Sequence, residues 1–413
     1  MLKRVRADQL RIGMFIHELC GSWLEHPFWR SSFKLSAAKD LERIRKSGIR
    51  EAWIDISKGL DVPMDEDAGV TQQEAEAVVE QELNEMARVQ RSVEPCSMAE
   101  ELQRATTICH KSREAVASMF NEARMGKALD ADDAMPLVEE IAGSVMRNPG
   151  TLISLARLKT KDDYTYMHSV AVCALMVALA RQLRLDEQQT REAGMAGLLH
   201  DVGKMYIPPE VLNKPGKLTD SEFVIVRKHP EEGWRMLKEG KGVGEITLDV
   251  CLHHHEKMDG TGYPHRLAGD EISLFARMGA VCDVYDAITS NRPYKRGWDP
   301  AESLRKMTEW CKGHFDEAIF HAFVRSLGIY PTGSLVRLQS GRIAVVIEQS
   351  RDSLLAPVVL AFYSTKSNER FEPVLIDLSD KSIKDAITSR EDPDKWKFPD
   401  LDMLWMGELP TGA

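Results

Sequence analysis

Residues 163–204 read DYTYMHSVAVCALMVALARQLRLDEQQTREAGMAGLLHDVGK. The first half predicts a strongly apolar helix from about Asp163 to Leu183 that carries a single histidine, His168. Its core, Val170 to Ala180, is the longest uncharged apolar run in the chain. That run is too short to cross a bilayer and reads as a buried helix. Asp186 opens a second helix that ends near His200, where His200-Asp201 is followed by Val-Gly-Lys204. Two core helices thus carry imidazole and carboxylate groups into apolar surroundings.

The same residue types recur downstream. Six of the twelve histidines lie between His168 and His255: His168, His200, His229, His253, His254 and His255. His229 precedes Pro230, and the run His253-His254-His255-Glu256 leads into Lys-Met-Asp259-Gly-Thr-Gly262-Tyr263-Pro264. Asp283 and Asp286 sit one helical turn apart, with Arg292-Pro-Tyr-Lys295 beyond them. Asp283 stands in Ala-Arg-Met-Gly-Ala-Val-Cys-Asp-Val, where an unpartnered carboxylate is costly to bury. Metal binding removes that cost, and also the cost of crowding several imidazoles. Nitrogen and oxygen donors without thiolate suit Fe, Mn, Zn or Ni rather than a cysteine-based structural zinc site. A carboxylate has two oxygens and can bridge two metals, which together can clamp a phosphodiester for in-line attack by water.

The rest of the chain frames this segment. Its 413 residues suggest two or three domains. A small α/β unit is expected over 1–60, with strand at Val5–Ile16, helix at Ser36–Lys46 and strand at Glu51–Ile56. Trp23, Phe28, Trp29 and Trp53 offer it core area. Residues 61–96 are expected to be an acidic linker passing into helix, because Asp61 to Glu85 holds nine acidic residues and no Lys or Arg. A helical connector over 97–150 follows, opened by the capping box Ser97-x-x-Glu100 and closed by Asn148-Pro149-Gly150. Thr219-x-x-Glu222 and Asp299-Pro300-x-Glu302 are further helix starts within a domain over 151–330. From 331 to 413 the pattern turns to short β runs at Ser334–Leu338, Ile343–Ile347, Val358–Tyr363 and Val374–Leu378. The fold class read here is mainly α, with a small α/β N-terminal domain and a short C-terminal β appendage.

A net charge of -10 excludes a general binder of nucleic acid polymers, though not a small phosphorylated ligand. Seven scattered cysteines without a CxxC pair suit a reducing compartment. The start MLKRVRADQLRIGMF lacks the apolar stretch of a signal peptide. A cytoplasmic chain without membrane insertion is expected.

Taken in order, His168, His200-Asp201-x-x-Lys204, His229-Pro230, His254-His255-Glu256-x-x-Asp259-Gly-x-Gly262-Tyr263-Pro264, Asp283-x-x-Asp286-Ala and Arg292-Pro-Tyr-Lys295 resemble the HD-GYP family of bacterial phosphodiesterases. The likeness covers about residues 160–296, roughly a third of the chain. The N-terminal 60 residues, with Leu-x-x-Gly13-Met-Phe-Ile and Trp53-Ile-Asp-Ile, resemble more weakly a domain of unknown function often found before HD-GYP domains.

The family likeness implies an HD-type helical bundle that hydrolyses cyclic di-GMP, a bacterial second messenger, to linear pGpG, with further cleavage to GMP left open. It implies that His168, His200, Asp201 and Asp283 hold one metal, and that Asp201 bridges to a second held by His229, His254 and His255. Two octahedral metals offer ~12 positions and these seven residues fill ~8, which leaves an open site. Fe or Mn is favoured. Some family members carry a Glu four residues before the first histidine, where it recruits a third metal. Here that position is Tyr164, so a third metal is not expected. His253 is the extra histidine of its run. Asp201 and Lys204 are the implied catalytic residues. Lys204, Gly262, Tyr263, Pro264, Asp286, Arg292 and Lys295 are the implied substrate contacts, with Asp286 either touching the ligand or holding its neighbours. Glu256 and Asp259 would shape the loop. Diguanylate-cyclase domains are implied partners at the Gly-Tyr-Pro turn. Two other readings stay open: an HD phosphohydrolase acting on another nucleotide, and a non-catalytic cyclic di-GMP receptor. The Gly-Tyr-Pro turn with Arg292-Pro-Tyr-Lys295 favours cyclic dinucleotides, and the intact ligand set favours catalysis.

Overall fold

The computed structural model describes residues 2–20, 32–47, 49–62, 70–71, 96–158, 164–212, 214, 216, 218–291, 297–350 and 353–406. The chain forms two compact units, the first made mainly of residues up to Leu83 and the second of those after it.

The first unit holds β1 (Leu2–Arg6), β2 (Phe15–Cys20), β3 (Phe33–Lys34), α1 (Ala38–Lys46), β4 (Glu51–Asp55) and β5 (Val70–Thr71). They make a sheet in the order β3-β2-β4-β1-β5, antiparallel throughout. Leu10, Met14, Ile16, Leu35, Ile44 and Ile54 are fully buried in its core. The expected strand over Val5–Ile16 is interrupted. A 3-10 turn at Ala7–Gln9 and a positive φ of 102° at Gly13 end β1 and restart the chain as β2. Glycine adopts that backbone without a Cβ penalty. Trp53 is buried, whereas Trp23, Phe28 and Trp29 lie outside the described residues. So does most of the acidic stretch, although β5 within it pairs with β1.

The second unit is helical, with a sheet at its C-terminal end. Its helices are α2 (Met98–Arg124), α3 (Ala131–Arg147), α4 (Pro149–Arg157), α5 (Tyr164–Gln182), α6 (Glu187–Leu199), α7 (Pro209–Leu212), α8 (Asp220–Val226), α9 (His229–Lys238), α10 (Glu245–His253), α11 (Leu274–Thr289), α12 (Pro300–His314) and α13 (Glu317–Leu327). Capping sets several starts. Ser97, Asp186 and Thr219 each close a reciprocal box with the residue three places on. Asn148 caps α4 with Pro149 at its first position, and Asp299 does the same for α12 before Pro300.

The apolar helix α5 is the hub, packed by α2, α3, α4, α6, α11 and α13. Among the described residues it is the one helix long and apolar enough to span a membrane, and Val170 to Ala180 are all buried within the protein. Residues 97–150 were read from sequence as a connector, but α2 and α3 belong to this same helical body. Phe120 of α2 meets Tyr166 of α5 edge to face at 6.0 Å. The buried Glu101 carboxylate of α2 takes two bonds from the Arg147 guanidinium of α3, at 2.6 and 2.8 Å.

The C-terminal β6 (Leu335–Leu338), β7 (Arg342–Glu348), β8 (Val358–Ser364), β9 (Glu369–Asp377) and β10 (Ile387–Arg390) form an antiparallel sheet in the order β10-β6-β7-β8-β9. Leu335, Ile343, Val345 and Phe362 of the sheet share one apolar cluster with Met98 of α2 and with Leu401 and Trp405 from the last helix, Leu401–Met406. The appendage is therefore continuous with the helical body. Sequence reading missed β10, which is four residues long with three of them polar.

Candidate metal centre

Five segments of the helical unit converge on one buried point. His168 comes from the first turns of α5, and His200-Asp201 from the end of α6. His229 opens α9, His254 and His255 follow α10, and Asp283 lies in α11. His168, His200, Asp201, His229 and His254 are each at most 2% exposed. Glycine makes the approach possible at Gly203, where a Cβ would land on the His229 carbonyl and 2.5 Å from the Gly233 nitrogen. Only a residue without a side chain lets the Asp201 turn lie flat against α9.

The donors sort into two groups. His168, His200, Asp201 and Asp283 make one, and His229, His254 and His255 the other, with ligating atoms within 4.8 Å of one another in each. Asp201 stands between them. Its Oδ2 lies 3.2 Å from His168 Nε2 and 3.3 Å from His200 Nε2. Its Oδ1 lies 3.2 Å from His229 Nε2 and 3.9 Å from His254 Nε2. Asp283 Oδ1 is 3.0 Å from His168 Nε2, and Asp283 Oδ2 is 3.7 Å from His255 Nδ1.

The tautomers are set from behind. His200 Nδ1 donates to the Gly197 carbonyl at 2.8 Å, His229 Nδ1 to Val226 at 2.8 Å and His254 Nδ1 to Val250 at 3.0 Å. A carbonyl only accepts, so each Nδ1 carries a proton, and in its neutral form each ring aims an Nε2 lone pair inward. His168 Nδ1 makes the same kind of bond to Asp286 Oδ2 at 2.6 Å. The result is a buried cavity lined by acceptors. His168 Nε2 faces His200 Nε2 at 3.2 Å, His229 Nε2 faces His254 Nε2 at 3.3 Å, and Asp201 Oδ1 is buried without a hydrogen-bond donor. Nitrogen and oxygen atoms packed this closely around a buried point fit divalent cations, and the donor set suits them chemically.

Electrostatics are uneven across the two groups. Burial disfavours charge on the His168, His200, His254 and His255 rings. At His200 the Asp201 and Asp283 carboxylates outweigh it and push the pKa up to about 10. At His254 burial is reinforced by His200 and His229, and the pKa falls to about 3. Burial alone would raise the Asp201 carboxyl, but Lys204 and His200 hold it well below the usual carboxylate range. Lys204 Nζ donates directly to Asp201 Oδ2.

The loop after His255 packs over the centre. Tyr263 lies against the His255 ring, with centroids 4.7 Å apart and planes at 30°. Glu256 is buried and accepts the backbone N–H groups of His265, Arg266 and Leu267 at 2.7, 3.0 and 3.1 Å, which fixes the chain just past Pro264. Asp259 caps the turn through Thr261. Gly262 is buried, and a Cβ there would sit 2.5 Å from Glu256 Cα. Close backbone packing thus requires glycine at this position. Asp286 holds its neighbours. It is 2% exposed and its oxygens serve His168 and the Ser290 hydroxyl, so it orients a ligand from behind. His253 turns away from the centre to Asp249 at 2.7 Å and His265 at 3.0 Å. Tyr164 stacks on His168 at 6.1 Å. Arg292 and Lys295 lie outside the described residues. Sequence reasoning missed Arg227, whose guanidinium lies 4.4 Å over the Tyr263 ring. No motif spacing marks it.

Comparison with known proteins bears on this site. The family described as "HD domain" matches residues 148–319, and "Domain of unknown function (DUF3391)" matches residues 2–134. The chain is 54% identical over 408 residues to a cyclic di-GMP phosphodiesterase of Pseudomonas aeruginosa, covering 98% of this chain and 96% of that one. It is 41% identical over 181 residues to the cyclic di-GMP phosphodiesterase response regulator RpfG of Xanthomonas campestris pv. campestris, covering 43% and 48% of the two chains. It is 35% identical over 167 residues to a 3'3'-cGAMP-specific phosphodiesterase of Vibrio cholerae, covering 40% and 38%.

Proposed function

Because this chain belongs to the HD-GYP family of metal-dependent HD phosphodiesterases, we propose that it hydrolyses cyclic di-GMP to linear pGpG. The observation that carries this is Asp201, whose two oxygens face two separate groups of imidazoles. That is the arrangement of a bridging ligand. His168, His200, Asp201 and Asp283 would hold one divalent metal, and His229, His254 and His255, with Asp201, the other. Bound there, the pair supplies positive charge to the scissile phosphate and a water acidic enough for in-line attack. Fe or Mn is the proposed choice among the metals that this donor set suits. Two metals suffice for the two donor groups, and the phenol of Tyr164 is a poor third-site ligand at neutral pH.

The protein's own groups do the rest. Backbone carbonyls and Asp286 keep the ring lone pairs aimed inward. Lys204 sits on Asp201 with its side chain 22% exposed, and would bind a phosphate oxygen or the leaving oxygen. The Tyr263-Pro264 turn roofs the site, and Arg292 and Lys295 contribute phosphate-binding cations from the segment that follows α11. Seven free cysteines suit a reducing compartment, in keeping with the cytoplasm.

The substrate class is tested by turnover of the metal-reconstituted, reduced protein on cyclic di-GMP, 3'3'-cGAMP and a deoxynucleoside triphosphate, with products separated by chromatography. Linear pGpG from cyclic di-GMP at the highest kcat/KM is expected. Preferred cleavage of the triphosphate would make the chain another kind of HD phosphohydrolase. Binding of cyclic di-GMP without any linear product would make it a receptor.

A further inference from the structure

Arg227 stands where the named motifs leave a gap. It caps the end of α8, two residues before the ligand His229. Val226 beside it supplies the carbonyl that orients the His229 ring. From the metal ligand His255 the structure steps 4.7 Å to the Tyr263 ring and then 4.4 Å to the Arg227 guanidinium. Tyr263 therefore has His255 on one side and Arg227 close over its ring. The next layer of contact after Tyr263 is the guanidinium.

The charge on that layer is unmatched. Arg147, Arg277 and Arg305 of the same unit pair with Glu101, Asp316 and Glu302. Among the described residues, Arg227 meets only the rings of Phe223 and Tyr263, and no carboxylate. It is half-buried. Ring contacts fix the guanidinium and leave its N–H donors for an anion. A cyclic dinucleotide carries two phosphates on one small ring. With one at the metals, the other is held a few bonds away and needs a cation there. We propose that Arg227 binds the second, non-scissile phosphate of the cyclic dinucleotide. This rests on the function proposed above.

The test compares cyclic di-GMP with bis(p-nitrophenyl) phosphate, a phosphodiester that has no second phosphate. Arg227→Met keeps an apolar stem against Tyr263 and removes the charge, while Arg227→Lys keeps the charge without the fork. With metal content matched to wild type, Arg227→Met is expected to raise KM for cyclic di-GMP on the order of 10- to 100-fold. Its kcat should change little, cleavage of the simple diester should be unchanged, and Arg227→Lys should recover part of the loss. An equal loss on both substrates would mean that Arg227 acts through Tyr263 and the metal centre, and would overturn the proposal. An unchanged KM for cyclic di-GMP would overturn it as well. A wild-type protein that cleaves the simple diester but not cyclic di-GMP would instead overturn the assigned substrate.

Discussion

At the scale of single residues, the site depends on where each lone pair points. Asp201 is 1% exposed and holds both groups of imidazoles in one geometry. Asp201→Ala is expected to abolish phosphodiesterase activity and to lower metal content, read by elemental analysis on the same sample. His253→Ala should do far less, because that ring faces Asp249 and His265. Equal losses at both positions would mean that the register of the histidine run is wrong. Asp286→Ala removes the acceptor behind His168 and is expected to weaken metal binding roughly 10- to 100-fold, measured by competition with a chelator. The ligand candidates were legible from sequence because each sits at a fixed spacing within a motif. Asp286 was legible as important but not as a ligand-orienting group, since spacing on a helix does not say which side of a metal a carboxylate occupies. Arg227 was invisible because its neighbour Tyr263 lies 36 residues away in the chain.

At the scale of elements, local chemistry announced many of the helix starts. Ser97, Asp186, Thr219 and Asp299 all cap as their sequences suggest. Tertiary contact decided the rest. Residues 97–150 looked like a connector because their charges hide a buried face. Glu101 is fully buried and satisfied by Arg147 and Ser144, a pairing 46 and 43 residues away that no local pattern reveals. Arg147→Ala leaves that carboxylate only the more distant and exposed Arg104 guanidinium, at 3.7 Å, and is expected to cost roughly 2–3 kcal/mol of stability, measured by urea unfolding. A change within experimental error would show that the α2–α3 contact rests on apolar packing alone. The expected strand over Val5–Ile16 failed for a different reason. Alternation was present, but Gly13 takes a positive φ of 102° and the chain turns there.

At the scale of the whole molecule, the metal centre ties α5, α6, α9, α10 and α11 of the helical unit, while the N-terminal sheet supplies none of the candidate ligands. Ligands that bind only the folded state stabilise it by mass action, by about 4 kcal/mol at a thousandfold excess over Kd. Chelation is therefore expected to lower the melting transition of the helical unit by roughly 10 °C, and to leave a transition of the N-terminal unit in place. A calorimetric scan that shifts neither transition would separate the metals from the fold. The most direct measurement is an anaerobic titration of metal-free protein with Fe(II), with linear pGpG counted at each step. Activity is expected to be near zero without metal, to saturate at two equivalents per chain, and to be absent from Asp201→Ala at any loading. Saturation at one equivalent, or turnover by Asp201→Ala, would contradict a centre of two metals bridged by Asp201.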